Sequence, residues 1–384
     1  MALTKQMEDY LKLSHEDAKN IVRELCKIPA PSHHEENRAS WCKNWFVNAG
    51  GEKVFIDEAL NAVCEYNVTS DNDVVVFMAH TDTVFPDLEP MPFVEKDGLF
   101  YSPGVTDDTG NLASLLVAER YILKNNIPTS CGMVFVANSC EEGLGNLKGS
   151  RAIVSRYGNR IKEFITVDGT RLERVVNGAV GSHRYRITVK TEGGHSFAAF
   201  GNRNAIVCLS SMINTLYSVK VPQDGDSKTT YNVGIISGGT SVNTIAQEAS
   251  MLYEYRSTSK VCLAQMEQML EKVLDAYRST GIEVISERIG DRPCKGDVDP
   301  KKHEELICKA EDSIRRIIGK EPERAFSSTD ANTPLAVGIP AICMGGAVGG
   351  KCHTREEWLD PESLLDGSRL LLDFMTNYFS IPLS

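Results

Sequence analysis

The chain has 384 residues, 42% hydrophobic and 24% charged, a globular composition that at about 150 residues per domain points to two domains. A formal net charge of −11 argues against a nucleic-acid or anionic-membrane surface, and the longest apolar run, VVVFMA at 74–79, is far too short to span a bilayer. Eleven cysteines without a C-x-x-C pair read as free thiols of a reducing compartment, so a cytoplasmic location is expected.

The first residues alternate charged and apolar positions at helical spacing without the apolar core of a signal peptide, and 5–28 is predicted as one helix. Strands are predicted at 53–57, 62–67, 74–79, 133–138 and 163–168. Between them NLASLLVAERYILKNN (111–126) reads as an amphipathic helix, opened by the turn and capping residues of PGVTDDTG. From 181 the rhythm changes to strand 183–193, helix 203–218, strands 229–237 and 248–256, helix 261–279 and strand 282–288. That β-α-β-β-α-β order is the pattern of a ferredoxin-like sandwich able to form its own core. After 291 the α/β texture returns, with a helix at 303–319, a buried strand at 340–346 and a last helix at 361–379. The simplest organisation is an α/β domain built from 1–180 and 291–384, interrupted by an inserted α+β domain at 181–290.

Polar residues gather where the apolar strands stop. VVVFMAHTD delivers His80 and Asp82, VFVANSCEE delivers Glu141 and Glu142, and FITVDG delivers Asp168. Asp107 and Asp108 precede a helix, and the strand at 340–346 leads into a glycine-rich loop with His353. Ligands of open α/β sheets bind beyond the carboxyl ends of strands. Taken singly, an Asp-Asp pair is an N-cap and a lone His is a hydrogen-bonded surface residue. Jointly they place desolvated charge at successive strand ends, which only compensation makes tolerable. Imidazole and carboxylate donors in this ratio suit zinc or a similar cation. His80 and Asp82, two apart on a strand, share a face, so Asp82 is placed to orient His80.

FMAHTDTV, GVTDDTGNLASLL, SCEEGLG, TVDG, GGHSF, SSTDANTPLAVGIPA and CHTREEW follow in order over nearly the whole chain. As a set they resemble the dinuclear zinc metallopeptidase and deacylase family that includes peptidase T, carboxypeptidase G, succinyl-diaminopimelate desuccinylase, acetylornithine deacetylase and aminoacylase. The resemblance implies a catalytic domain with a mixed central sheet flanked by helices, and an inserted ferredoxin-like lid and dimerisation domain. It implies two divalent ions, Zn2+ with Co2+ or Mn2+ as substitutes. His80, Asp107 and Asp168 would hold one and Asp107, Glu142 and His353 the other, with Asp107 bridging and a cis peptide bond after it. Asp82 would orient His80, and Glu141 would act as general base on a water whose pKa the paired cations lower. His195 would stabilise the oxyanion from the partner subunit of a homodimer, and Asn243 and Arg256 would bind the substrate carboxylate.

The implied activity is hydrolysis of a peptide or N-acyl amide bond beside a free α-carboxylate. A di- or tripeptidase or carboxypeptidase-like enzyme comes first and an N-acyl-amino-acid deacylase second. A non-catalytic binding protein on the same fold would be expected to lack the base or a ligand, and here Glu141 and all the proposed ligands are present. Two departures touch the substrate side. Glu254 stands where the family often has Asp, and Thr109 where it often has Lys. Cys352, beside His353, is expected to be a small neighbour rather than a ligand.

Overall fold

In the computed structural model, which describes residues 3–380, the predicted apolar runs become the middle of a mixed eight-stranded sheet. Its strand order is Lys53–Ile56, Ala62–Tyr66, Gly132–Asn138, Val74–His80, Ile161–Val167, Ala341–Met344, Arg174–Ala179 and Glu323–Ser327. The central strands from Gly132–Asn138 to Ala341–Met344 run parallel, so their carboxyl ends share one edge of the sheet. Antiparallel neighbours on either side, Ala62–Tyr66 and Arg174–Ala179, make the sheet mixed.

Both faces are covered, which explains the continuous apolar runs. In Val74–His80, Val75, Phe77 and Ala79 join a core with the helices Lys5–Leu13, His15–Leu25, Asn111–Asn125, Pro300–Ile317 and Ser363–Met375. Val74, Val76 and Met78 face the other way, into a second core with Lys148–Tyr157 and Asn332–Ala336. The helix expected over 5–28 is two helices that bend at Ser14, where the backbone leaves ideal helical ψ while Ser14 N–H still donates to the Tyr10 carbonyl.

The helix Asn111–Asn125, read as amphipathic, is instead buried at 12 of its 15 positions. This burial traps one acid. Glu119 is fully buried, neither carboxyl oxygen has a hydrogen-bond partner among the described residues, and burial pushes its carboxyl well above the usual range.

The chain divides into two units, one formed by the chain up to Ala179 and from Gly296 onward, the other by Val180–Lys295. The second unit is a four-stranded antiparallel sheet ordered Thr229–Gly238, Glu248–Ser257, Gly181–Lys190 and Glu283–Arg292, with helices Ala205–Ser218 and Lys260–Arg278 sharing its core. Its last strand runs past residue 290. Along Glu248–Ser257, Ala249, Met251, Tyr253 and Tyr255 are buried, while Glu254 and Arg256 lie on the opposite side of the strand. Thr229–Gly238 is an edge strand exposing Ile235 and Ile236.

Glu119 sets a stability test. Between the ordinary glutamate pKa and its own raised value, the folded state keeps a proton that the unfolded chain releases, so this residue's contribution to stability falls as pH rises. Glu119→Met is therefore expected to stabilise the fold by about 1–3 kcal/mol, the usual cost of an unsatisfied buried polar group. The gain should be larger at pH 8 than at pH 5 in urea unfolding; equal or negative gains would show that Glu119 has a compensating partner.

Candidate active site

His80, Glu141, Glu142 and Asp168 are carried to one edge of the sheet by strands that stop there, and two loops bring Asp107 and His353 to them. His80 is the last residue of Val74–His80, and Asp168 follows Ile161–Val167 directly. Glu141 and Glu142 stand in the turn after Gly132–Asn138, and Asp107 lies in the irregular turn Val105–Gly110, with a cis peptide bond to Asp108. His353 sits in the loop of a hairpin between the short strands Val348–Gly350 and Trp358–Asp360. Three sets of donor atoms lie within 4.8 Å of one another: His80 with Asp107 and Asp168, Asp107 with Glu142 and His353, and His80 with Glu141 and Glu142. Asp107 is common to the first two.

The imidazoles face carboxylates. His80 Nε2 lies 3.1 Å from Asp107 Oδ1, and His353 Nε2 lies 3.0 Å from Glu142 Oε1 and 3.2 Å from Asp107 Oδ2. His80 Nδ1 is 3.0 Å from the Asp82 carbonyl and 3.5 Å from its carboxylate, so an Nδ1–H donates toward Asp82 and the Nε2 lone pair points at Asp107. A lone pair aimed at a carboxylate calls for a cation or a proton between them.

Electrostatics say the same. Burial first, then Asp107, pushes the Asp168 carboxyl well above its ordinary range. Glu142 is pushed up to about 7 by burial and by its neighbours Asp107 and Glu141, against the His353 hydrogen bond. Burial also works on Asp107, but the imidazoles of His353 and His80 hold its carboxyl well below the usual range. The same contacts, Asp107 before Glu142, lift His353 to about 10. Crowded, desolvated acids beside two imidazoles fit a divalent cation: it would relieve the repulsion and use donors of a kind zinc accepts.

Asp82 does more than face His80. Its carboxylate accepts the backbone N–H groups of Glu141 and Glu142, both at 3.0 Å, and the Ser32 hydroxyl at 2.6 Å. It thereby shapes the turn that presents both glutamates. Glu141 and Glu142 are each 5% exposed.

In the second unit, the ladder of Gly194–His195 with Thr244–Ile245 brings His195 beside Asn243, whose carbonyl accepts the Ser196 N–H at 2.9 Å. His195 Nδ1 accepts the backbone N–H groups of Phe197 and Ala198, so a neutral ring carries its hydrogen on Nε2, an exposed donor. Arg256 is engaged by the departure noted above: its Nε and Nη2 pair with both carboxylate oxygens of Glu254 at 3.0 and 3.1 Å. Burial, with Asp107 next, pushes the Cys352 thiol up, so it stays protonated and is a poor ligand.

Sequence reasoning gave no role to the residues that hold these loops, Asp108 included. Asp108 accepts the His80 backbone N–H at 2.8 Å, and Glu35 accepts the Cys140 N–H at 2.9 Å. Glu357 accepts backbone N–H groups of Gly104, Thr106 and Asp107. Their partners are main-chain atoms, which leave no side-chain motif; the acids in DDTG, HHEE and REEW were the only signal.

Known proteins share the fold and the family of this chain. Succinyl-diaminopimelate desuccinylase of Corynebacterium glutamicum is 23% identical over 366 residues, covering 93% of this chain and 95% of that protein. A tripeptidase from Staphylococcus aureus shares the fold with a TM-score of 0.76 at 24% identity, over 94% of this chain and 98% of that one. The Bacillus subtilis YXEP protein, described as a dinuclear metal binding peptidase, shares it with a TM-score of 0.66 at 15% identity, over 95% and 99%. A profile of peptidase family M20/M25/M40 matches residues 76–377, well over half of the sequence and all of the clustered side chains, and the protein belongs to that family.

Proposed function

We propose that the protein hydrolyses a peptide or N-acyl amide bond beside a free α-carboxylate, with two divalent cations held by His80, Asp107 and Asp168 and by Asp107, Glu142 and His353. The observation that carries this reading is the pair of donor triads sharing Asp107, with Glu141 against them but outside both. When bound, such cations polarise the amide carbonyl and make a water acidic enough to react near neutral pH. Zinc is the proposed ion, with cobalt or manganese able to replace it, from the imidazole and carboxylate donors.

The protein's own groups do the rest. Glu141, its backbone fixed by Asp82, takes the proton from the attacking water and returns it to the departing amine. Asp82 also holds the His80 ring so that Nε2 faces Asp107. In the second unit, the outward Nε2–H of His195 is the proposed oxyanion donor, and Asn243 and Arg256 the proposed carboxylate binders. Glu254 stays on Arg256 until a substrate carboxylate competes for the guanidinium.

A short-peptide substrate is the first reading, supported by the tripeptidase neighbour. A deacylase is the second, supported by the desuccinylase relative. A homodimer through the Val180–Lys295 unit is proposed from its exposed edge strand, where Ile235 and Ile236 are more than half exposed. A cytoplasmic location is proposed from the eleven free cysteines; among the described residues no helix is long and apolar enough to cross a membrane.

With added Zn2+, Co2+ or Mn2+, the purified protein is expected to cleave members of a panel of di- and tripeptides and N-acyl amino acids, and a chelator to abolish cleavage. Glu141→Ala should lower kcat by roughly 10²–10⁴-fold with the fold retained, whereas full turnover in Glu141→Gln would remove Glu141 from its role. Zn2+ at a hundredfold excess over its dissociation constant should stabilise metal-stripped protein by about 2.7 kcal/mol in thermal unfolding, a gain that Asp168→Ala should largely erase. In sedimentation velocity the protein should run as a dimer and Ile236→Lys as a monomer; a wild-type monomer would discard the dimer.

A further inference from the structure

We propose that Glu357 is the positioning residue of this centre: its carboxylate ties the Asp107 turn to the His353 loop and so sets how tightly the Asp107–Glu142–His353 triad takes up a cation. The inference rests on the metal reading proposed above.

The hairpin that carries His353 explains how Glu357 reaches the turn. Trp358–Asp360 pairs on one side with Val348–Gly350 and on the other with Leu99–Tyr101, the strand leading into residues 102–107. Glu357, one residue before this shared strand, is thereby laid against the turn. Its Oε1 accepts the N–H groups of Thr106 at 2.8 Å and Asp107 at 2.9 Å, and its Oε2 accepts the Gly104 N–H at 3.0 Å. The main chain completes the lock: the Glu357 carbonyl accepts Ser102 N–H at 3.2 Å, and the Trp358 carbonyl accepts the Thr106 hydroxyl at 2.7 Å. Gly349 permits this approach, since a β-carbon there would overlap the Thr106 hydroxyl and the Trp358 carbonyl.

Glu357 is 1% exposed, and the turn it grips cannot satisfy these N–H groups itself. Gly104 is left-handed and Asp107 has non-helical dihedrals, so the segment lacks a regular ladder. Without the carboxylate, those buried donors would have no partner, and the turn would relax toward one. Relaxation would move the Asp107 carboxylate relative to His353, whose left-handed backbone is set by the same hairpin. His80 and Asp168, by contrast, stand at the ends of sheet strands and do not depend on this contact. Asp107 belongs to both triads, but the triad that contains His353 would lose position at two of its donors, Asp107 and His353, and the other at Asp107 alone, so Glu357 bears more heavily on the former.

Titration of metal-stripped protein with Co2+, followed by calorimetry and visible absorption, separates the two sites. Wild type should bind two ions. In E357Q, where an amide N–H replaces one acceptor, the weaker step should lose about 10–100-fold in affinity and the tighter step less than about threefold, the range expected for residues that orient ligands. A merely structural role would lower the melting temperature and leave the gap between the two steps unchanged, and that result would overturn the inference. So would equal weakening of both steps. If E357Q fails to fold by circular dichroism, E357D keeps the charge but shortens the reach, and wild-type binding of both ions by E357D would likewise overturn it. Wild-type protein that binds no divalent ion would overturn the metal reading and this inference together, whereas a two-ion wild type with an unaltered variant would sink the inference alone.

Discussion

Desolvated negative charge at one edge of a sheet is the constraint around which this molecule is arranged. Asp107, Glu142 and Asp168 converge where water is largely excluded, and each pair of neighbouring carboxylates opposes the ionisation of the other. Positive charge between them relieves this repulsion, and the imidazoles of His80 and His353 lie against the same carboxylates. The parallel centre of the sheet follows from the same need. Four strands pointing one way deliver their terminal residues to a common edge, and helices on both faces keep the strands apolar up to the last position.

Precision at that edge comes from a second use of carboxylates. Asp82 accepts the N–H groups of Glu141 and Glu142, Asp108 that of His80, Glu35 that of Cys140, and Glu357 those of the Asp107 turn. Each buried acid thus grips the backbone that carries a candidate donor or its neighbour. These bonds give main-chain N–H groups a partner in irregular segments where no helical or sheet ladder is available. The centre is acidic twice over: one set of carboxylates faces inward as donors, and another holds the first in place.

How much of this was legible in the sequence depends on the kind of signal each residue leaves. His80, Glu141, Glu142 and Asp168 were visible because an apolar strand that ends abruptly in charge is an anomaly. The insert left a signal because half-covered strands alternate, and in the Val180–Lys295 unit Glu248–Ser257 buries every second residue. The bend at Ser14 was not, since helical periodicity continues through it while the backbone hydrogen bonds persist. Arg174–Ala179 and Glu323–Ser327 escaped because they lie toward the sheet's margin, where short and partly polar strands suffice. Glu119 was hidden by the helix pattern itself: an acid at that spacing reads as a solvent-facing position, and only the packing of both flanks reveals otherwise. Arg256 was read as a substrate anchor, and its two-point pairing with Glu254 was beyond reach although both residues had been singled out.

The strand order also bears on how the chain is made. Ala341–Met344 lies between Ile161–Val167 and Arg174–Ala179, two strands close together in sequence. During synthesis the sheet therefore waits, with a gap in its middle, until residues far downstream have left the ribosome. The Val180–Lys295 unit, whose strands are contiguous in sequence, has all its parts available earlier. His353 and Glu357 emerge later still, so the clustered acids acquire their last imidazole neighbour only after Ala341–Met344 has been made. Until then the N-terminal half holds an incomplete sheet with an exposed strand edge, the kind of intermediate for which a chaperone or rapid completion matters most.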